Sequence, residues 1–201
     1  MTTIALVDYG AGNLQSVRNA LKAAGADDIL VTADPDAVRA ADRIVLPGVG
    51  AFAHCMGALS SIDGMVEALN EATGPAAKPF LGICVGMQLM AQAGEERGVT
   101  AGLGWVRGRV KAIAPGPALK IPHMGWNDVV PAGDQPLIES GEAYFLHSYA
   151  FEGEDVLATT DHGGPIVAAI GSGNRIGVQF HPEKSQAYGL KFLERFLAWK
   201  P

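Results

Sequence analysis

The chain has only two cysteines, Cys55 and Cys84, no run of lysine or arginine, and no apolar stretch long enough to cross a bilayer. Each scarcity excludes something. Two cysteines in 201 residues, with no secretory leader expected, do not suggest a disulfide framework, and both are expected to stay reduced. A formal net charge of −6 with no local basic exception argues against a nucleic-acid surface. The longest apolar runs are broken by Gly, Gln or Asp, and the N-terminus runs straight into a strand, so a soluble, cytoplasmic protein off the membrane is expected. His54, His123, His147 and His162 fall at no metal-ligand spacing, so neither a metal nor a cofactor is expected. Repeats and low-complexity linkers are also missing. The length suits a single domain over residues 1–201, with a core that needs no metal or disulfide.

The first half alternates strand and helix. Residues 4–7 form a continuous apolar run of the parallel-sheet kind, residues 14–24 have helical composition ending at Gly25, and residues 29–31 and 43–47 read as strands. Helices follow at about 51–59 and 61–72, then a strand at Phe80 and a helix after Cys84. Beyond Gly98 the texture changes to shorter β-like pieces at 104–113, 143–150, 156–160 and 166–170, separated by turn clusters at 115–117, 163–165 and 171–174. Ser185 opens a last helix whose Leu190, Leu193, Phe196 and Leu197 make a core-facing stripe. The pattern predicts an α/β fold: a doubly wound, flavodoxin-like open mixed sheet with helices on both faces and a small antiparallel addition, any site lying at the strands' carboxyl ends.

Cys84 sits between Gly82 and Gly86 where a short buried strand gives way to helix-favouring residues, the pattern of a nucleophile elbow. A thiol there lies near the amides that open the next helix, which suits acyl transfer. The same residues also describe a small buried hydrophobe beside a glycine packing contact, and the elbow alone does not separate the two. Near the C-terminus, Ile176, Val178 and Phe180 alternate as a strand does up to Pro182, so His181 is expected to project from a strand end. A thiol acyl-transfer site needs a base and a group that orients it, roles open to His181 and Glu183. A structural histidine beside a surface glutamate is the duller alternative. Cys55, adjacent to His54 on a helix, is read as packing.

Gly82-Ile-Cys84-Val-Gly-Met-Gln88 and Phe180-His181-Pro-Glu183 resemble the class I (triad) glutamine amidotransferases, which hydrolyse glutamine to glutamate and ammonia. Asp8-Tyr-Gly-Ala-Gly-Asn13, Pro47-Gly-Val-Gly50-Ala-Phe and Pro122-His-Met-Gly-Trp-Asn127 narrow the resemblance to the glutaminase subunits of imidazole glycerol phosphate synthase, over essentially the whole chain. Most amidotransferase relatives carry Pro-Gly-Gly where this chain has Pro47-Gly48-Val49-Gly50. The narrower family usually has leucine at Val85, where a backbone N–H would act.

The resemblance implies that Cys84 is the nucleophile, His181 the general base and acid, and Glu183 the group that orients His181. It implies an oxyanion hole made by the N–H groups of Val85 and Val49, the latter on a strand whose peptide can turn away. Glutamine would be held by Gly50, Gln88 and the backbone of His147, Ser148 and Tyr149. The implied partner is a (β/α)₈-barrel cyclase subunit, forming a heterodimer, that receives ammonia internally and makes imidazole glycerol phosphate and an aminoimidazole carboxamide ribotide in histidine biosynthesis. Asn13, Trp126, Tyr144 and Lys184 are the implied interface positions, with helix cap, core or half-buried aromatics and solvated lysine as their plainer readings. Two rivals stand beside this: a glutaminase serving another synthase or acting alone as a γ-glutamyl hydrolase, and a non-catalytic binding subunit on the same fold.

Overall fold

The computed structural model describes residues 2–114 and 119–201. The expected turn at 115–117 lies outside the described residues. The first half builds β1 (Thr3–Val7), α1 (Leu14–Ala23), β2 (Asp28–Thr32), α2 (Pro35–Ala40), β3 (Arg43–Gly48), α3 (Phe52–Ser60), α4 (Met65–Thr73) and β4 (Phe80–Cys84). The second half builds α5 (Val85–Gln88), β5 (Ala91–Gly94), β6 (Thr100–Ala101), β7 (Val106–Ala112), β8 (His123–Pro131), β9 (Gly141–His147), β10 (Tyr149–Gly153), β11 (Val156–Asp161), β12 (Pro165–Ser172), β13 (Arg175–Val178) and α6 (Gln186–Ala198). Among the described residues no helix is long and apolar enough to cross a membrane.

A nine-stranded sheet runs in the order β2-β1-β3-β4-β13-β12-β11-β8-β9. Its first five strands are parallel and the rest antiparallel. The chain moves one way along the sheet from β1 to β2 and the other way from β2 through β3 to β4. Right-handed crossovers therefore put α1 on one face and α2 to α4 on the other; α1 packs with α6, and α2 and α3 pack on α4. This is the doubly wound mixed α/β architecture that the sequence predicts. The parallel strands β1, β3 and β4 are almost wholly buried, which is why their sequences read as unbroken apolar runs. A second sheet, β10-β7-β5-β6, stands apart from the first.

The helix expected from residue 61 opens at Met65, after Gly64 in the left-handed region at φ 76°, and three further boundaries differ from the sequence reading through long-range contacts. The helix after Cys84 is a single turn, because the carbonyls of Leu89 and Met90 accept from Leu103 and Trp105 instead of continuing it. The strand at Arg175 ends at Val178: Gln179 N–H still bonds Ala168 O, but His181 N–H turns to Tyr144 O on β9. His181 thus lies three residues past the strand, not at its end. The piece at 143–150 is two strands in different sheets, broken at Ser148. There the Ser148 carbonyl accepts from Ile113 N–H, while His147 Nδ1 bonds Tyr149 O at 2.9 Å. The helix α2, with Asp34 capping Asp36 N–H, and the strand β8 had no counterpart in the sequence reading.

A chain of neutral imidazoles holds that break. His147 donates from Nδ1 to Tyr149 O, so its Nε2 accepts from His123 Nδ1 at 2.9 Å, and His123 Nε2 accepts from Asn127 Nδ2 at 3.0 Å. His162 stacks on His123 with ring centroids 4.2 Å apart. Burial carries both His123 and His147 down from 6.5 to about 4, reinforced by neighbouring imidazoles. For a base, a folded value below the unfolded one means that the unfolded chain binds more protons between the two, so stability falls as pH is lowered through that window. The urea midpoint should therefore drop between pH 6.5 and about 4. His123→Gln, which keeps polar groups and does not titrate, should flatten that drop; an equal loss in both proteins would contradict the assignment.

Candidate active site

Three neighbouring parallel strands, β3, β4 and β13, bring their carboxyl ends together, with Gly48 directly opposite Cys84 across β3 and β4. Cys84 takes φ 54°, ψ −112°, a backbone state that non-glycine residues rarely adopt and that costs about 1–3 kcal/mol. The neighbouring glycines make it possible. A Cβ on Gly86 would stand 1.9 Å from the Leu46 carbonyl oxygen, and one on Gly82 would stand 2.6 Å from the Gly86 carbonyl oxygen. The elbow is thus pressed against the end of β3 at a distance only glycine permits. Since α5 is one turn long, its dipole adds little to the sulfur's environment.

His181 and Glu183 flank Pro182 in a single 3-10 turn, Pro182–Lys184, and His181 Nδ1 meets Glu183 Oε1 at 2.8 Å, both side chains buried. The turn is locked from below. Ser185 Oγ donates to His181 O at 2.6 Å and accepts from Tyr144 N–H at 2.9 Å, and Gly189 packs so closely that its Cβ would lie 2.0 Å from Pro182 O. Phe180 anchors the approach, edge-to-face with Phe145, Tyr188 and Phe192.

With Nδ1 on Glu183, Nε2 of His181 is left free, and His181 lines the same pocket as Cys84. Burial alone would pull the imidazole down, yet the neighbouring Cys84 and the hydrogen-bonded Glu183 carry it up to about 9. Glu183 Oε2 has no hydrogen-bond partner among the described residues, so the imidazolium is what balances this carboxylate. Gln179, fully buried, donates from Nε2 towards Cys84 Sγ at 3.7 Å and accepts from Gln88 Nε2 at 2.9 Å. The Leu146 carbonyl lies 3.9 Å from the same sulfur.

A pocket of about 160 Å³ opens over Cys84, and Val49, Gly50, Val85, Gln88, His147, Ser148, Tyr149, His181 and Lys184 are among the residues lining it. Gln88 is buried rather than displayed on a helix surface, and its Nε2 bonds both Tyr149 O and Gln179, leaving Oε1 for a bound molecule. Three lining or adjoining residues escaped sequence reasoning: Leu146, whose carbonyl lies near the sulfur, Gln179 and Glu96. Gln179 carried a signal, a polar residue at an apolar strand's end. Glu96 carried none: it comes from the loop after β5, and its Oε2 accepts from Phe52 N–H at 2.9 Å, serving α3 as a cap from outside.

The four expected interface residues fall at or near the same end of the molecule. Asn13 follows β1 at the N-cap position of α1 but makes no side-chain cap bond. Trp126 and Tyr144 are cross-strand partners on β8 and β9 with ring centroids 6.3 Å apart, and the exposed Lys184 places Nζ 5.7 Å from the centre of the Tyr144 ring. Trp126 is 46% exposed, so it is not a core aromatic but half-buried, which its plainer reading also allowed.

Comparison with known proteins bears on the family and the fold. The family described as glutamine amidotransferase class-I matches residues 5–199. The imidazole glycerol phosphate synthase subunit HisH of Zymomonas mobilis is 59% identical over 207 residues, covering 100% of this chain and 97% of that protein. Its namesake from Rhodopseudomonas palustris is 52% identical, covering 99% of this chain and 100% of that one. A crystal structure of a glutamine amidotransferase superimposes with a TM-score of 0.75 at 19% identity, covering 96% of this chain and 97% of the other, a likeness of fold. The chain belongs to the class-I glutamine amidotransferase family and, within it, to the HisH subunits of imidazole glycerol phosphate synthase.

Proposed function

We propose that the chain is the glutaminase subunit of imidazole glycerol phosphate synthase in histidine biosynthesis, working as one domain in the cytoplasm, with Cys84, His181 and Glu183 as its triad. The observation that carries this reading is the meeting of a strained cysteine elbow, a buried histidine–glutamate pair and a small pocket at the ends of three adjacent strands. Cys84 Sγ attacks the side-chain amide carbon of glutamine. The negative oxygen that forms is received by the N–H groups of Val85 and Val49, and losing one such donor costs about a hundredfold in rate. His181 hands its proton to the departing ammonia, then takes one from the water that hydrolyses the glutamyl thioester. Glu183 fixes the imidazole and balances its charge throughout.

Recognition of glutamine follows from the lining. Gln88 Oε1 accepts from the substrate amide, Gly50 and the backbone of His147, Ser148 and Tyr149 hold its other polar groups, and Glu96 supplies the negative charge that an α-ammonium needs. The strand break at Ser148 leaves backbone groups between two ladders, where a substrate can use them.

Ammonia set free in water is lost, so the site needs a receiver. Met124, Trp126 and Leu146 are all exposed, and the register pairs Met124 with Leu146 and Trp126 with Tyr144, which makes one apolar face on β8 and β9. Leu146 also lines the pocket, so this face is continuous with the site. It suits a (β/α)₈ cyclase subunit bound as a heterodimer, with Trp126, Tyr144, Lys184 and Asn13 as contacts and ammonia passing inward from Cys84.

Glutamate production by the chain and by Cys84→Ala, each with and without cyclase subunit and its nucleotide ligand, tests the reading. The chain alone should be a poor glutaminase, liganded cyclase should raise its turnover, and Cys84→Ala should be inactive in every mixture. Equal turnover with and without liganded cyclase would defeat the coupling, and activity in Cys84→Ala would defeat the triad.

A further inference from the structure

Two buried side chains grip the segment that carries Val49, one on each side of it. The Tyr9 hydroxyl donates to the Pro47 carbonyl at 2.8 Å, and the Cys55 thiol on α3 donates to the Val49 carbonyl at 3.3 Å. The first carbonyl belongs to the peptide before Gly48, the second to the peptide before Gly50. Between them lies the Gly48–Val49 peptide, whose N–H is the proposed oxyanion donor. A planar peptide turns by opposite changes in the two dihedrals that flank it, and its neighbours stay in place only if something holds them.

Gly48 is suited to be one pivot. A Cβ there would meet the Tyr9 hydroxyl at 2.7 Å and Gly86 N at 2.8 Å, so the chain passes between phenol and elbow with no room for a side chain. Gly50, at φ 105°, frees the chain again immediately beyond the second held carbonyl. Packing at position 55 requires only a small apolar side chain; a bond to the Val49 carbonyl requires a donor.

We propose that Tyr9 and Cys55 are positioning residues that pin the two peptides flanking Gly48–Val49, so that this one peptide turns as a unit and presents Val49 N–H at a fixed point beside Cys84. The proposal rests on the glutaminase reading and deepens it, since it names what holds the oxyanion donor in place. Burial pushes both the Tyr9 phenol and the Cys55 thiol up, so both remain protonated donors at neutral pH. Neither side chain touches the reacting atoms in this scheme. Their effect reaches the substrate only through the backbone of Pro47-Gly-Val-Gly50.

The test uses Tyr9→Phe, Cys55→Ala and Cys55→Ser, each assembled with the cyclase subunit and its nucleotide ligand. Steady-state kcat and KM for glutamine are measured, together with the rate of Cys84 alkylation by iodoacetamide, a displacement that builds no oxyanion. Tyr9→Phe and Cys55→Ala should lower kcat about tenfold, part of the loss seen when an oxyanion donor is removed outright, with KM and the alkylation rate unchanged. Cys55→Ser keeps a donor and should stay within about twofold of the parent. Undiminished kcat in both donor-removing variants would overturn the proposal. So would Cys55→Ser as impaired as Cys55→Ala, or a parallel fall in alkylation, which would place the damage at the triad. Cys84→Ala run alongside separates the two readings: if it keeps activity the glutaminase reading fails, whereas an inactive Cys84→Ala with full kcat in Tyr9→Phe and Cys55→Ala removes only the clamp.

Discussion

The contact between the Gly86 backbone and the Leu46 carbonyl is the constraint on which the site depends. It leaves no space for a side chain at 86 and brings the single turn α5 hard against the end of β3. To reach that contact from β4 the chain must reverse within one residue, and Cys84 takes up the unfavourable dihedrals. A cost of about 1–3 kcal/mol persists only where the surroundings over-determine it, and here buried strands on both sides do so. The same contact sets the distance between the sulfur and the Pro47-to-Gly50 segment, so nucleophile and oxyanion donor are placed by one packing decision.

The base reaches this point by a different route. β13 pairs with β4 in parallel, Val178 opposite Ile83, and the chain then leaves the ladder for β9 before entering the 3-10 turn. Ser185 ties that turn to β9, which also carries Leu146 and His147 into the pocket. One antiparallel strand thereby connects the base, the substrate-binding backbone and the exposed apolar face. Two groups of histidines divide the electrostatics: the His123–His147 chain is held neutral by burial, while His181, equally buried, is kept charged by Cys84 and Glu183.

Much of this was legible in the sequence where local chemistry decides the outcome. β1, β3 and β4 declare themselves as apolar runs because both faces are buried, and Gly82 and Gly86 around Cys84 declare a turn because only glycine fits. The grouping of His181 and Glu183 around a proline was visible too. What stayed hidden depends on partners distant in sequence. The break at Ser148 is made by Ile113, the early end of β13 by Tyr144, and the short α5 by Leu103 and Trp105. β8 did not announce itself because three of its four outward positions, Met124, Trp126 and Val130 but not Asp128, are apolar and exposed, which spoils the alternation expected of a strand with one wet face. Glu96 is a glutamate in a loop until the fold brings it to Phe52 and the pocket.

The account stands or falls on a covalent glutamyl group at Cys84. Acid-quenched mass spectrometry of the chain, mixed with glutamine in the presence of the cyclase subunit and its nucleotide ligand, reads this directly. The account predicts a glutamyl adduct on the peptide that contains Cys84 and on no other. Steady release of glutamate without that adduct, or an adduct on Cys55 instead, would contradict it.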